Sequence, residues 1–230
     1  MKTFNDLQEG LNDPNIFKAF FLAGGPGSGK SFVVRATTGV TGLQIINSDD
    51  AFERYLKNAG LSQKMPETEK EPRDVERKRA KRVTKARQEG YLEGRLGLII
   101  DGTGKDYEKI AKQSNDLRQL GYDTHMIFVN TSLDVALERN AKRDRSVPED
   151  IAVRSWKAVQ SNIGKFSQHF RQNFIVVDNN DANIKDPQVF NEVFKQIKGL
   201  LKKKVKSPIA KQWVMQQMKD RGIKRMPKGF

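Results

Sequence analysis

The run Gly24-Gly25-Pro26-Gly27-Ser28-Gly29-Lys30-Ser31 fits the pattern G-x-x-x-x-G-K-[ST] and stands between an apolar, strand-like stretch and a helical one. Glycines there let the backbone turn tightly, so that successive N–H groups converge on phosphate oxygens. The helix starting near Lys30 adds the positive end of its dipole. A lysine at this place reaches the β- and γ-phosphates, and a serine hydroxyl takes Mg²⁺. The pattern therefore predicts that Gly25, Pro26, Gly27, Ser28, Gly29, Lys30 and Ser31 hold ATP, with Ser31 on the metal. A fortuitous glycine-rich turn is the competing reading, and the flanking elements argue against it.

Carboxylates follow at two strand ends. Asn47-Ser48-Asp49-Asp50 closes the second apolar run. A carboxylate beside a γ-phosphate can accept the proton of an attacking hydroxyl, which points to Asp49, with Asp50 as helix cap or metal-side neighbour. Helix capping alone would also explain two aspartates here. Ile99-Ile100-Asp101-Gly102-Thr103-Gly104 closes the third run, and Asp101 stands where an acid holds the Mg²⁺ water shell; an Asp-Gly turn is the alternative. Arg139, Arg143 and Arg145 lie on and after a helix read over 133–143. Arg139 and Arg143 at i, i+4 would share a face and close over the triphosphate, against the alternative of a solvated basic helix end.

These residues need a frame. Five β-like runs, Ala19–Ala23, Gln44–Asn47, Leu96–Asp101, His125–Asn130 and Phe174–Asp178, alternate with helical stretches over 30–38, 50–58, 73–92, 106–120, 133–143 and 149–170. Strands apolar on both faces in such alternation predict a doubly wound, five-stranded parallel sheet with helices on both faces. Ligands in such sheets bind beyond the carboxyl ends of the strands, where all the candidates fall. Met65–Pro72 reads as a polar, proline-bounded loop. The expected organisation is a lead over 1–16, a domain over 17–204 and a basic appendage over 205–230. Within the appendage, Trp213, Val214, Met215 and Met218 are placed to dock on the body, with another protein as the alternative.

The chain of 230 residues has no cysteine and only His125 and His169, which excludes disulfides, thiolate metal sites and a histidine-built zinc centre. No apolar run approaches the roughly 20 residues that cross a bilayer, and the first ten residues lack a signal-peptide stretch, so a soluble, cytoplasmic protein is expected. The net charge is +14. Residues 198–230 carry eleven Lys/Arg against Asp220 alone, and residues 70–95 carry ten against five acids, which leaves the rest close to neutral. Two basic attachments on a neutral body point to a polyanion, nucleic acid above all, bound through 73–87 and 198–230; solvated helix faces are the plainer reading.

The segments AGGPGSGKS, INSDD, LIIDGTG and LERNAKRDRSVPEDI resemble, in order and spacing, the zeta-toxin and polynucleotide-kinase group of P-loop kinases over roughly residues 17–180. The resemblance implies a P-loop NTPase fold and a kinase using ATP and Mg²⁺. It implies Asp49 as general base, and Lys30 and Ser31 serving ATP and Mg²⁺. Arg143 with Arg139 would contact ATP phosphates, and Asp101 and Thr103 would face the acceptor. Asp50 and Arg54 would stand on the acceptor side, although Phe52 and Glu53 separate Arg54 from the paired acids. Asp101 stands where zeta toxins typically have Glu.

Two relatives pull apart on the acceptor. IDGTG followed by LGYDT looks like zeta toxins, which phosphorylate UDP-N-acetylglucosamine; NSDD and RNAKR…VP look like the kinases of polynucleotide 5′-hydroxyls. The basic segments favour a nucleic-acid hydroxyl, on a 5′ end or a modified base. A sugar nucleotide is the alternative, and an ATP-binding module without turnover is the third reading. The intact Lys30, Ser31, Asp49 and Arg143 set argues against that third reading, because a pure binder has no use for a positioned base.

Overall fold

The computed structural model describes residues 10–64, 66–143, 146–180, 187–227 and 229–230. Strands β1 (Lys18–Ala23), β2 (Gln44–Ile46), β3 (Leu98–Asp101), β4 (Asp123–Asn130) and β5 (Phe174–Asp178) form one parallel sheet in the order β2-β3-β1-β4-β5. The α-helices among the described residues are α1 (Lys30–Thr41), α2 (Asp49–Asn58), α3 (Lys70–Glu93), α4 (Tyr107–Gln119), α5 (Leu133–Ala141), α6 (Glu149–Ser161), α7 (Ile163–Phe170), α8 (Pro187–Leu201) and α9 (Pro208–Asp220).

Strand β1 is buried along its whole length because helices cover both faces of the sheet. Ala19, Phe21 and Ala23 join Leu98, Ile100, Met126 and Phe128 in one core, whereas Phe20 and Leu22 join Ile99, Ile127 and Val129 in another. That split is the two-residue alternation of a strand. Residues of α4, α7 and α9 close the first core; Val33 and Val34 of α1 and Ile197 and Leu200 of α8 close the second. A third, small core of Ala51, Phe52, Leu56 and Ala80 ties α2 to α3. The chain leaves β1 for β2 on one side of the sheet and places β4 and β5 on the other. The carboxyl end of β1 is therefore the topological switch point.

Four sequence expectations are corrected. Segment 149–170 is two helices, broken at Asn162, whose side-chain amide donates to the Gly104 and Lys105 carbonyls at 3.1 and 3.0 Å. The loop expected over 65–72 is shorter. A single turn, Glu67–Glu69, leads into α3 at Lys70, and Pro72 sits in the first turn, where its missing N–H has no helical partner to lose. Met65 lies outside the described residues. At the amino end, Leu11 and Ile16 are buried in the main core, so the described part of the 1–16 lead belongs to the body; residues 1–9 lie outside the description.

Last, residues 205–230, expected as an appendage, are part of the body: Trp213, Val214 and Met218 dock there as anticipated, whereas Met215 is exposed. Val205, Ala210 and Val214 are buried in the first core, and the rings of Trp213 and Phe230 meet Phe17 edge-on at 5.5 and 5.9 Å. Ser207 starts α9 by accepting a hydrogen bond from the Ala210 N–H at 3.4 Å, and Val205 N–H donates to the Gly229 carbonyl at 2.9 Å. Phe17 immediately precedes β1, so this docking is at the amino end of the sheet. Among the described residues, no helix is long and apolar enough to cross a membrane.

Candidate active site

The glycine-rich loop leaves β1 at the switch point and is held from three sides. Gly24 N–H donates to the Thr103 carbonyl at 2.9 Å, which fastens it to the loop after β3. The Asn179 side-chain amide donates to the Ser28 carbonyl at 2.7 Å, fastening it to the end of β5. Helices α5 and α6 pack over it. Gly27 has φ +77°, and a Cβ there would collide with the Ala136 carbonyl oxygen of α5; a Cβ on Gly25 would stand 3.4 Å from Trp156 Cα. Trp156 is itself fixed by its indole N–H, which donates to the Thr131 carbonyl at 2.9 Å. Glycine is thus needed at position 27 for both backbone angle and space.

Beyond the loop lies a cleft of about 600 Å³. Its lining brings together Pro26, Lys30 and Ser31 from the loop and α1, Asp49 and Asp50 from α2, Asp101 and Thr103 from the end of β3, and Arg143 after α5. The Lys30 ammonium donates to the Gly24 carbonyl and, at 3.4 Å, to the Gly25 carbonyl. Desolvation holds its pKa below the ordinary lysine value and Arg143 lowers it further, while Asp101 and Asp49 oppose the shift. The Asp101 carboxyl is raised, chiefly by burial and then by Asp49 and Asp50, with Lys30 opposing. A desolvated lysine flanked by an arginine and carbonyl oxygens is a place where an incoming anion restores the favourable charge balance.

Asn47 holds Asp101 and Asp49 together. Its side-chain NH2 donates to Asp101 Oδ2 at 2.9 Å, and its side-chain Oδ1 accepts from the Asp49 backbone N–H at 2.7 Å. Asp49 Oδ1 also accepts from Arg77 Nη1 of α3 at 2.7 Å, and that guanidinium lies 3.6 Å from the centre of the Phe52 ring. Ser48 occupies the helix-cap position, so Asp50 is in the first turn, exposed and facing the cleft, and is not the cap. Both aspartates complement the amino end of the α2 dipole.

A second cleft, of about 480 Å³, adjoins the first at Asp101, Gly102 and Thr103. It lies between α3 and α4 over Ile46 and Ile100, and Lys81, Lys85, Lys105 and Lys109 line it together with Asp106.

Two predicted arginines lie outside the cleft lining. Arg139 does not line the cleft: its guanidinium donates to the Asn179 carbonyl at 2.8 Å and braces the loop from outside. The i, i+4 argument fails because α5 ends at Ala141, which turns Arg143 out of the helix and away from the Arg139 face. Arg54 is exposed, with its guanidinium 5.6 Å from the Tyr55 ring centre, and does not line the cleft. Arg145 lies outside the described residues. Ser28 and Gly29 form the floor of the loop rather than the cleft wall, and Ser28 is buried.

Sequence reasoning missed the asparagines that hold this site. Asn47, Asn162 and Asn179 are described above; Asn140 accepts from the Val147 N–H at 3.1 Å and donates to its carbonyl at 2.7 Å, pinning the segment that carries Arg143. The one available signal was their position at element ends. Arg77 was read only as one charge in a basic run.

Oxygen donors suited to Mg²⁺ are present. Asp101 Oδ1 is buried without a hydrogen-bond partner, and Ser31 opens onto the same cleft. Among the described residues there is no cluster of three or more His, Asp or Glu that could hold a metal ion.

A family model described as zeta toxin matches residues 6–188. A cytidylate kinase from Methanothrix thermoacetophila is 28% identical over 174 residues, covering 72% of this chain and 83% of that protein. Among solved structures, a candidate kinase from Chloroflexus aurantiacus has a TM-score of 0.52 at 15% identity, covering 81% of this chain and 97% of that one. A gluconokinase from Sinorhizobium meliloti has a TM-score of 0.50 at 15% identity, covering 81% and 95%. The shared fold is that of the P-loop kinases.

Proposed function

The chain belongs to the zeta toxin family and is a phosphotransferase, and we propose that it moves the γ-phosphoryl group of ATP to a hydroxyl of nucleic acid, a 5′-hydroxyl or one on a modified base. The observation that carries this is the convergence of Lys30, Ser31, Asp49, Asp101 and Arg143 on one cleft that opens, at Asp101–Thr103, into a second cleft lined by four lysines.

In the transfer the acceptor oxygen forms a bond to the γ-phosphorus as the bond to the β,γ-bridging oxygen breaks. ADP leaves, and the acceptor proton passes to Asp49. Arg77 orients that carboxylate by donating to Oδ1, and Asn47 fixes the backbone that carries it by accepting from the Asp49 N–H. Lys30 and Arg143 meet the charge on the phosphates, and the water-poor surroundings of Lys30 strengthen that interaction. Ser31 and Asp101 would hold Mg²⁺, which neutralises phosphate charge when bound. Little covalent chemistry falls to the protein; positioning and charge do most of it.

The lysines of the second cleft and the basic face of α3 support an acceptor that itself carries phosphate, as an oligonucleotide does. A UDP-N-acetyl sugar is the second reading, favoured by the family match and by the Gly102-Thr103-Gly104 strand end. Cytidylate, named for the archaeal relative, also bears a phosphate.

Labelled ATP offered with 5′-hydroxyl oligonucleotides and, separately, with UDP-N-acetyl sugars tests both readings. Label is expected in the oligonucleotide. Label only in the sugar nucleotide overturns the first reading in favour of the second. Asp49→Ala is expected to lower transfer by about 10²–10⁴-fold with ATP affinity retained, as loss of a general base does. Near-full turnover in that variant moves the role to Asp50.

A further inference from the structure

We propose that the C-terminal segment is a second, non-catalytic nucleic-acid contact, built on a folded platform at the amino end of the sheet and independent of what the acceptor is. The platform is α9 and its flanks, anchored by Val205, Ala210, Trp213, Val214 and Phe230. Those anchors use one side of the segment and leave its cations outside. Lys202, Lys203, Lys204, Lys206, Lys211 and Lys219 are all exposed, and among the described residues none of the six is in an ion pair. The one acid of residues 198–230, Asp220, accepts instead from the Gln216 side-chain amide at 2.7 Å. Lys211 and Lys219, eight residues apart on α9, project from the same exposed face.

These cations cannot serve the phosphate loop. Trp213 and Phe230 pack on Phe17, just before β1, and the loop follows Ala23 at the other end of that six-residue strand, roughly 20 Å away at the rise of a β-strand. An array of unneutralised, fixed cations facing away from the catalytic cleft fits a phosphate backbone, which is read by charge without base specificity. A bilayer fits less well. Helices that lie in a membrane interface present aromatic residues outward; here Trp213 and Phe230 are both turned into the core, although Ile209 and Met215 of α9 stay exposed.

The test is binding, with no turnover required, so that its outcome is separate from that of the kinase reading. The full chain is titrated into a fluorescent 20-nucleotide single-stranded DNA across a sodium chloride series, alongside the variant Lys202→Gln/Lys203→Gln/Lys206→Gln/Lys211→Gln. Each phosphate contact contributes about 0.7 to the slope of log affinity against log salt. The four-fold variant is expected to lose up to about 3 of that slope and at least about tenfold in affinity at fixed salt. Its melting temperature and ATP affinity should match the parent chain. An unchanged slope overturns the proposal, as does a loss found only when the α3 residues Lys78, Arg82 and Arg87 are neutralised. Binding to vesicles containing phosphatidylserine in place of the DNA overturns it in favour of a membrane.

Discussion

Helix α3 and the C-terminal segment around α9 look alike as strings of Lys and Arg, yet they differ in place and in electrostatic state. On α3 some of the cations have carboxylate partners: Arg77 with Asp49 at 2.7 Å, Arg79 with Glu76 at 3.7 Å and Lys85 with Glu89 at 3.8 Å. Lys78, Lys81, Arg82 and Arg87 have no ion pair among the described residues. Around α9 the exposed lysines have none among the described residues. The first helix flanks the second cleft at the carboxyl end of the sheet; the second segment closes the core at the amino end. Net charge therefore says little about role until the fold shows which end of the sheet the charge occupies. A basic helix beside the cleft is placed to orient chemistry, and one at the opposite end is not.

The contrast is broken most forcefully by ending the chain at Lys204. If 205–230 were a tail, the body would be indifferent. Since Val205 and Val214 are at most 1% exposed and Trp213 and Phe230 cover Phe17, the loss is expected to be on the order of 5 kcal/mol or more, at about 1.5–3 kcal/mol per large buried side chain. Chemical denaturation would then show no cooperative transition, or one at far lower denaturant. A truncated chain that unfolds like the parent would return the segment to the status of an appendage.

A smaller effect separates the two sets of cations in catalysis. Arg77→Ala removes the ion pair to Asp49 and the stacking on Phe52, and phosphoryl transfer is expected to fall by about 10- to 100-fold, the scale of a misplaced reacting group. Lys211→Ala should leave transfer to a small acceptor unchanged. Steady-state assays of both variants at saturating ATP decide the matter; equal effects would erase the distinction between orienting and anchoring charge.

The smallest predicted effect lies in the sheet itself. His125 is buried, stacks on Phe20 at 4.7 Å, and has both ring nitrogens without partners; burial, with Lys18 and Lys203 adding to it, pushes its pKa down to about 3. The fold therefore keeps the imidazole neutral, while the unfolded chain protonates near pH 6.5. Stability from this group is fully present above about pH 6.5 and is lost as pH falls, by about 1.4 kcal/mol per unit, until the folded group also titrates. His125→Phe preserves the stacking and should flatten the difference in unfolding midpoint between pH 7 and pH 5. Parallel pH profiles for the two chains would show that the imidazole is hydrated in the fold. The basic surface at this end adds to the pressure against protonation, which the carboxylate-rich cleft end does not.

Much of this molecule was legible before folding. Phe174–Asp178 reads directly as β5 because an apolar, β-branched run bounded by polar turns favours a strand even at the sheet edge, where only Val177 is buried. The phosphate loop is legible because glycine is the residue that combines positive φ, as at Gly27, with close approach of the Ala136 carbonyl. The break at Asn162 was not legible, since helical periodicity runs through it and its cause is a pair of carbonyls 57 and 58 residues away. Arg139 was misread for a related reason: whether two arginines share a face depends on where the helix stops, and α5 stops at Ala141. Asparagines at element ends give no periodic signal at all, although Asn47 and the buried Asn140, Asn162 and Asn179 tie the loops around the cleft together.

Composition and local pattern settled the order of strands and helices, the phosphate-holding bend and the carboxylates at the strand ends, because those depend on backbone angles and on burial with periods of two and 3.6 residues. Only the tertiary structure decided that Arg77 meets Asp49, that Arg139 braces the loop from behind, and that the basic C-terminal segment belongs to the core at the end of the sheet opposite the cleft. Such contacts join residues far apart in the chain. Their energy comes from desolvation and pairing that exist only once the layers have packed.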